Sequence, residues 1–202
     1  MSSNFFPKKK ANKKFWDWFK NNSEHYFNFE QNQTVLFRNL KNALAQVNPN
    51  LVFEFSPILE DEKREFILSA DGMKNIFPIV EALVNEAPQL GNWHIIAFRQ
   101  PKEGYTQISY DDLTINYEDV YFQYAKDSGQ VAVKLSIRGY EETEKWGAAI
   151  FILLDNLLGE YHTEMSLSYI EMNPLNEDEV KMLSPIVELP LAINNYFLEL
   201  NN

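Results

Sequence analysis

The pattern of apolar and polar positions along the chain predicts the same order of elements twice: a β-hairpin, a helix and a strand. The first unit, about residues 51–99, is predicted to contain strands at 51–57 and 64–70, a helix at 75–88 and a strand at 93–98. The second unit, about residues 119–172, is predicted to contain strands at 119–125 and 131–138, a helix at 141–159 and a strand at 163–172. A glycine follows each hairpin, Gly72 in the first and Gly139 in the second. The chain is therefore expected to hold two pseudo-repeat units.

Two β-hairpin–α–β units predict an α+β fold with one mixed or antiparallel sheet of about six strands and helices on one face, broadly ferredoxin-like. Helical spacing at 13–22, at about 30–47 and towards the end of the chain adds N- and C-terminal helices. Residues 1–12 are predicted to be a disordered basic arm. Residues 13–202 are predicted to form a single domain, because the length suits one domain of ordinary size.

A short aromatic segment, "KKFWDWFKNN" at residues 13–22, carries four aromatic residues within five positions. On a helix they occupy one face, which is typical of a buried face, a partner-binding hook or a membrane-surface anchor. We favour burial, with Phe15, Trp18 and Phe19 packed on the body of the protein and Trp16 at the rim. The hook and the anchor remain alternatives at this stage.

Composition narrows the possible chemistry and the compartment. The chain has no Cys, which excludes disulfides, thiolate nucleophiles and cysteine metal sites. Its longest apolar run, "GAAIFILL" at residues 147–154, is much shorter than the roughly 20 residues of a membrane span. The first residues show no apolar signal-peptide region. These features predict a cytoplasmic protein without a membrane partner.

Charge is distributed unevenly along the chain, whose formal net charge is −11. The first twenty residues hold six Lys and one Asp, whereas the remainder holds 12 Lys and Arg against 28 Asp and Glu. An acidic body repels phosphate backbones, so no nucleic-acid partner is expected. The acidity is explained by solubility or, more specifically, by a surface that binds a basic protein partner.

No motif indicates catalysis: phosphate-binding loops, the G-x-S-x-G elbow and H-E-x-x-H are all absent from the sequence. We therefore assign no catalytic residue, metal ligand or cofactor. His162 and Glu164 would share one face of the predicted strand, but a polar pair at a strand edge is favoured over a metal site. Polar residues of the strands, including Lys134, Ser166 and Ser168, are expected to form a platform on the sheet face away from the helices. Five residues are candidate binding anchors: His94, Arg99, Arg138, His162 and Glu164.

Residues 68–101 resemble a segment of a family of uncharacterised bacterial proteins. The resemblance rests on "SADG", on a helix of the form FPxVExLVxxAP and on a strand of the form WxIIAFR. It covers about a sixth of the chain. It implies a bacterial origin and an α+β domain, and it implies no activity or functional residue.

The function expected from these features is that of a non-catalytic protein-binding module in the bacterial cytoplasm, of inhibitor or immunity type. The alternative is a small-molecule-binding protein or an enzyme, with a pocket between the sheet and the terminal helices. In that alternative the candidate anchors would converge on the pocket, whereas a closed core there would argue against it.

Overall fold

A computed structural model describes the backbone of residues 5–200 and the side chains of residues 10–200. The chain divides into two compact units, Met1–Arg99 and Gln100–Asn202. Each unit has its own hydrophobic core, one formed by residues between Phe15 and Phe98 and the other by residues between Ile108 and Tyr196. The cores are separate because each sheet buries its apolar face against helices of its own unit.

In its described residues, the first unit contains three α-helices and a three-stranded sheet. Its elements are α1 Phe5–Phe27, α2 Gln33–Ala45, β1 Val52–Phe55, β2 Arg64–Ser69, α3 Phe77–Asn85 and β3 Trp93–Ala97, with short 3₁₀ helices at Phe29–Gln31 and Lys74–Ile76. The strand order is β1-β2-β3. Strands β1 and β2 form an antiparallel hairpin, and β3 runs parallel to β2 after the α3 crossover.

The second unit contains a two-stranded hairpin, a four-stranded sheet and three helices. Its elements are β4 Gln107–Tyr110, β5 Leu113–Asn116, β6 Val120–Asp127, β7 Gln130–Ile137, α4 Glu144–Leu158, α5 Glu160–Ser166, β8 Leu167–Pro174, β9 Ser184–Pro185 and α6 Leu189–Leu200, with 3₁₀ helices at Tyr117–Asp119, Glu177–Met182 and Ile186–Glu188. The larger sheet has the order β8-β7-β6-β9. Strands β6 and β7 are antiparallel, and β8 is parallel to β7.

The α+β class is therefore confirmed, but the described strands lie in sheets of three, two and four strands and do not form the expected sheet of about six. In each unit the third strand returns through its own crossover helix and pairs with its own hairpin. The described strands of each sheet are therefore hydrogen-bonded to strands of their own unit. The same strand order and the same parallel crossover occur in both units.

Period-two and helical spacing explain how these elements pack. Phe66 and Leu68 of β2 face one core, and alternate residues of β7 from Val131 to Ile137 face the other. Helix α4 begins after Thr143, whose hydroxyl accepts a hydrogen bond from the Trp146 amide at 3.3 Å. Ile150 and Leu154 of this helix are fully buried. The apolar face that the spacing predicts for α4 is thus confirmed.

The aromatic segment belongs to the core of the first unit. Phe15, Trp16 and Phe19 of α1 are buried, and Phe19 stacks on Phe66 with 4.7 Å between ring centroids. The two tryptophans differ from prediction, because Trp16 is buried while Trp18 is only partly buried. The Trp16 indole Nε1 donates to the Leu83 carbonyl oxygen at 2.8 Å, so the polar edge of the ring is satisfied inside the core.

Helix α1 also extends further towards the N-terminus than predicted. It begins at Phe5, so residues 5–12 of the predicted disordered arm are helical, and residues 1–4 lie outside the described residues. A helical arm is compatible with its sequence, because Lys and Ala are good helix formers. In the described part of the chain, no helix combines the length and the apolarity required to cross a membrane.

Candidate functional site

Arg99, the first candidate anchor, neutralises two carboxylates of its own unit. It follows β3, and its guanidinium donates to Glu54 on β1 and, at 3.0 Å, to Asp71 beyond the end of β2. Its side chain retains 25% of its exposure. Because the positive charge is already paired twice, Arg99 ties the end of the sheet together and offers little attraction to an anionic ligand.

Arg138 has the same role in the second unit. It follows β7 and donates to Asp119 and, through two nitrogens at 2.7 and 3.0 Å, to Glu177. The Arg138 guanidinium lowers the pKa of Glu177, and the pKa of Asp119 is lowered first by the Asn116 amide and then by Arg138. These shifts keep both carboxyl groups ionised, so the cluster is an internally balanced ion network.

His94 lies on β3 and contacts a loop carboxylate. Its Nε2 atom is 2.7 Å from Oδ2 of Asp61, and both side chains are partly exposed, 42% for the histidine and 46% for the aspartate. The hydrogen bond with His94 lowers the pKa of Asp61. The pair fixes the loop after β1 against β3 and leaves Nδ1 as the second hydrogen-bonding atom of the ring.

His162 and Glu164 lie on helix α5, where the sequence predicted the start of a strand. Residues two apart on a helix point about 200° apart, so the shared face that a metal would require does not exist there. His162 Nδ1 instead lies 3.4 Å from Oγ of Ser166, one turn further along. The helical state is favoured because Thr163 and Ser166 pack on the buried side of α5. The predicted strand at 163–166 is therefore wrong.

Within each unit, the candidate anchors contact different partners. Arg99 and His94 contact different carboxylates in the first unit, and Arg138 and His162 have different partners in the second. Four surface concavities of about 270 to 600 Å³ are lined by other residues. In the described part of the chain, no three His, Cys, Asp or Glu residues are placed to share a metal ion.

A different surface presents exposed side chains for contact: the face of β6, β7 and β8 opposite α4. The register places its side chains in rows across the three strands, one row being Ala125, Ala132 and Tyr169 and the next Gln123, Lys134 and Glu171. We call these six residues the open face. Tyr169 is 61% exposed, because its neighbours across the sheet are two alanines. A shallow hollow of about 270 Å³ lies against the open face.

The rows of the open face differ in chemistry. The alanine row leaves backbone and methyl groups beside the tyrosine ring, which suits an apolar or aliphatic contact. In the next row, the Lys134 ammonium lies 3.7 Å from Glu171, which also accepts a hydrogen bond from Asn173 at 2.8 Å. The open face therefore combines an exposed aromatic ring with a polar border, which is the composition of many protein interfaces.

The unit that carries the open face also carries the net charge of the protein. Residues 1–99 contain 12 Lys and Arg against 11 Asp and Glu, a net charge of +1. Residues 100–202 contain 6 Lys and Arg against 18 Asp and Glu, a net charge of −12. A surface with this imbalance attracts basic partners at long range and repels acidic ones.

Sequence alternation anticipated part of the open face and missed its aromatic residue. Lys134 was expected there, whereas Tyr169 was not, since simple alternation places Ser166 and Ser168 on that face. A register irregularity inserts Ser168 between the pairs Val131–Leu167 and Ala132–Tyr169. One extra residue reverses the facing of every later side chain in the strand, so Tyr169 and Glu171 reach the open face.

Comparison of the chain with family models, with curated proteins and with solved structures finds no match in any of the three.

Proposed function

We propose that this protein is a non-catalytic protein-binding module of inhibitor or immunity type, and that its acidic second unit binds a basic surface of the partner through the open face. The observation that carries the proposal is Tyr169, 61% exposed beside Ala125 and Ala132 in the unit of charge −12. Tyrosine is a frequent anchor residue in interfaces, because it combines a large contact area with few rotatable bonds.

The negative charge around the open face indicates that the partner has a basic surface. Twelve excess negative charges in one unit accelerate encounter with a basic protein, and the effect decreases as salt screens the field. On the open face itself Lys134 is opposed by Glu171 at 3.7 Å, so no unbalanced positive charge opposes a basic partner there. The proposed interface therefore has an aromatic anchor, a hydrogen-bonding border and an acidic surround.

The alternative expected from the sequence, a ligand pocket or active site lined by the candidate anchors, gains no support from the geometry. Arg99 and Arg138 are each paired with two carboxylates, and His94 is paired with one. The bacterial origin, the cytoplasmic location and the ferredoxin-like relationship stay predictions. The repeated hairpin–helix–strand topology supports the last of them, with each repeat in a separate sheet.

The test is capture of partners from a lysate of the source organism with the wild-type protein and with Tyr169→Ala. We expect a specific protein of basic isoelectric point that is retained at low salt. We expect Tyr169→Ala to weaken its binding by a factor of ten or more, which corresponds to about 1.4 kcal/mol. Binding of the purified pair would be measured by titration calorimetry at two salt concentrations.

Tyr105→Ala is the matched control, because Tyr105 is 53% exposed in the same unit but lies outside the open face. It should leave the affinity for the captured protein unchanged. Recovery of no partner at any salt concentration would contradict the proposal. Equal affinity of the wild type and Tyr169→Ala would also contradict it, since the open face would then not be the interface.

A further inference from the structure

A groove between α1 and α2 in the first unit is lined mainly by carboxamide and aromatic side chains. Its concavity of about 530 Å³ is bordered by Trp18, Asn22, His25, Tyr26, Asn39 and Asn42. A second concavity of about 600 Å³ shares His25 with the first and adds Asn28, Gln31 and Asn32. The groove therefore continues along α1 from Trp18 to the end of the helix at Phe27 and on to Asn28, about 15 Å at roughly 1.5 Å per residue.

Several polar groups of the groove are free to meet a ligand. The side chains of His25, Asn39 and Asn42 make no hydrogen bond with the described part of the chain. The Asn22 Nδ2 atom donates to the Trp18 carbonyl at 2.7 Å, which leaves its Oδ1 as a fixed acceptor. Each carboxamide offers two donor hydrogens and one acceptor oxygen, so neighbouring amides can satisfy groups that both donate and accept.

The floor of the groove is aromatic and is held in place by the packing of α1 on α2. Trp18 is partly buried, and its ring meets the Tyr26 ring edge-on with 5.6 Å between centroids. The Tyr26 hydroxyl donates to the Leu36 carbonyl at 3.2 Å, and burial raises its pKa to about 12. The hydroxyl therefore stays protonated and keeps this link between the helices. The indole is consequently a preorganised surface for an apolar ligand face.

The lining excludes strongly charged ligands. Among the side chains that the structure describes, no Lys or Arg borders either concavity, so an anion such as a phosphate finds no counter-charge there. Glu24 is the single carboxylate among the described lining residues, and one carboxylate is too few ligands for a metal cation. A lipid chain would cover part of these amides without offering them a hydrogen bond. The remaining class is a neutral molecule that has many hydroxyl groups and one apolar face.

We infer that the α1–α2 groove binds a neutral oligosaccharide, with a sugar ring packed on Trp18 and its hydroxyl groups bonded to Asn22, Asn39 and Asn42. Sugar hydroxyls both donate and accept, as the carboxamides do, and the C–H face of a pyranose ring packs on an aromatic plane. The length of the groove suits a trisaccharide. This site lies in the first unit and is independent of the proposed protein interface in the second.

The test is a titration of the full-length ¹⁵N-labelled protein with maltotriose, cellotriose and N,N′,N″-triacetylchitotriose, followed by NMR. We expect at least one of the three to shift the side-chain amide resonances of Asn22, Asn39 and Asn42, with a dissociation constant of about 1 mM or tighter. The double variant Asn39→Ala/Asn42→Ala should weaken that binding by a factor of about ten or more. Both asparagines are exposed, so the variant is expected to fold, and its thermal unfolding would verify this.

Asn21→Ala is the matched control, since Asn21 is an exposed residue of α1 outside the groove. It should bind the saccharide as the wild type does. The inference is overturned if none of the three trisaccharides shifts a groove resonance at about 10 mM. It is also overturned if the double variant binds as well as Asn21→Ala.

Discussion

The two units of this protein share one strand topology, but their hydrophobic cores differ in the kinds of side chain that they bury. Each has an antiparallel hairpin, a crossover helix and a third strand parallel to the second, in the spatial orders β1-β2-β3 and β6-β7-β8. Among the residues that the structure describes, eight of the sixteen buried in the first core are aromatic, against four of twenty in the second. The comparison shows that one order of elements can be built around cores of different side-chain shape, provided that each apolar pattern keeps the period of its element.

The ends of the two sheets show the same principle in their charges. The residue before the glycine at the end of the hairpin is Asp71 in the first unit and Arg138 in the second. Gly72 and Gly139 both have positive φ, 77° and 75°. Asp71 is paired with Arg99, and Arg138 is paired with Glu177. The charge before the glycine is negative in the first unit and positive in the second. In both units an ion cluster links the strands at this end of the sheet.

Removal of residues 1–22 should have the largest effect on one unit with little effect on the other. It deletes Phe15, Trp16 and Phe19, and burial of each side chain contributes about 1.5–3 kcal/mol. We expect β2 to lose its amide protection in hydrogen exchange while β7 keeps it, because each core is separate. Unchanged protection of β2 would show that α1 is not part of the first core. Removal of residues 1–11 is the control and should have little effect on the melting temperature.

Single core truncations should act on one unit at a time. Phe19→Ala should cost about 3–5 kcal/mol in the first unit and Leu154→Ala about 2–5 kcal/mol in the second, because both side chains are fully buried. Denaturant unfolding with hydrogen exchange as the readout would assign each loss to its unit. Leu198→Ala, at a side chain that is 56% exposed, should change stability by less than about 0.5 kcal/mol. Equal losses of protection in both units would contradict the separation of the cores.

The two tryptophans of α1 should respond differently to the same substitution. Trp16→Phe removes the hydrogen bond to the Leu83 carbonyl inside the core, and we expect a loss of about 1–3 kcal/mol. Trp18→Phe should cost less, because Trp18 is partly buried. Chemical denaturation of the two variants measures the difference. If Trp18→Phe were the more damaging, the orientation of α1 would be the one predicted from the sequence.

The smallest expected effect is the acid dependence of the Arg138 cluster. The pKa values of Glu177 and Asp119 are lowered in the folded state, so the cluster adds stability above the ordinary carboxyl range. This contribution is lost as the pH falls through the lowered values. Arg138→Met should therefore destabilise the second unit at about pH 7, and its difference from the wild type should shrink at about pH 2.

Urea midpoints of the second unit at the two pH values measure this difference. Lys181→Met is the control at an exposed cation of the same unit and should show no such dependence. A difference between Arg138→Met and the wild type that persists at low pH would show that Arg138 acts through packing of its stem and not through its charge.

The sequence by itself determined the local elements of this protein. The hairpins, α3, the face of α4 that buries Ile150 and Leu154, and the burial of Phe15 and Phe19 all follow from periodicity, because spacing decides which side chains share a face. Residues 163–166 form the exception, since a short segment takes the state that its tertiary neighbours favour. In this segment the helical state buries Thr163 and Ser166, which lie three residues apart and so share one face of a helix.

Only the tertiary structure decided the division into sheets, the ion clusters and the open face. Alternation along β7 predicted that Lys134 lies on the open face. The position of Tyr169 on that face depends on the extra residue Ser168, which has no partner on β7. Arg99 and Arg138 could be chosen as cations from the sequence, but their partners are 28 to 45 and 19 to 39 residues away. Such pairings depend on strand register and chain crossing. These are long-range consequences of packing, and local periodicity carries no information about them.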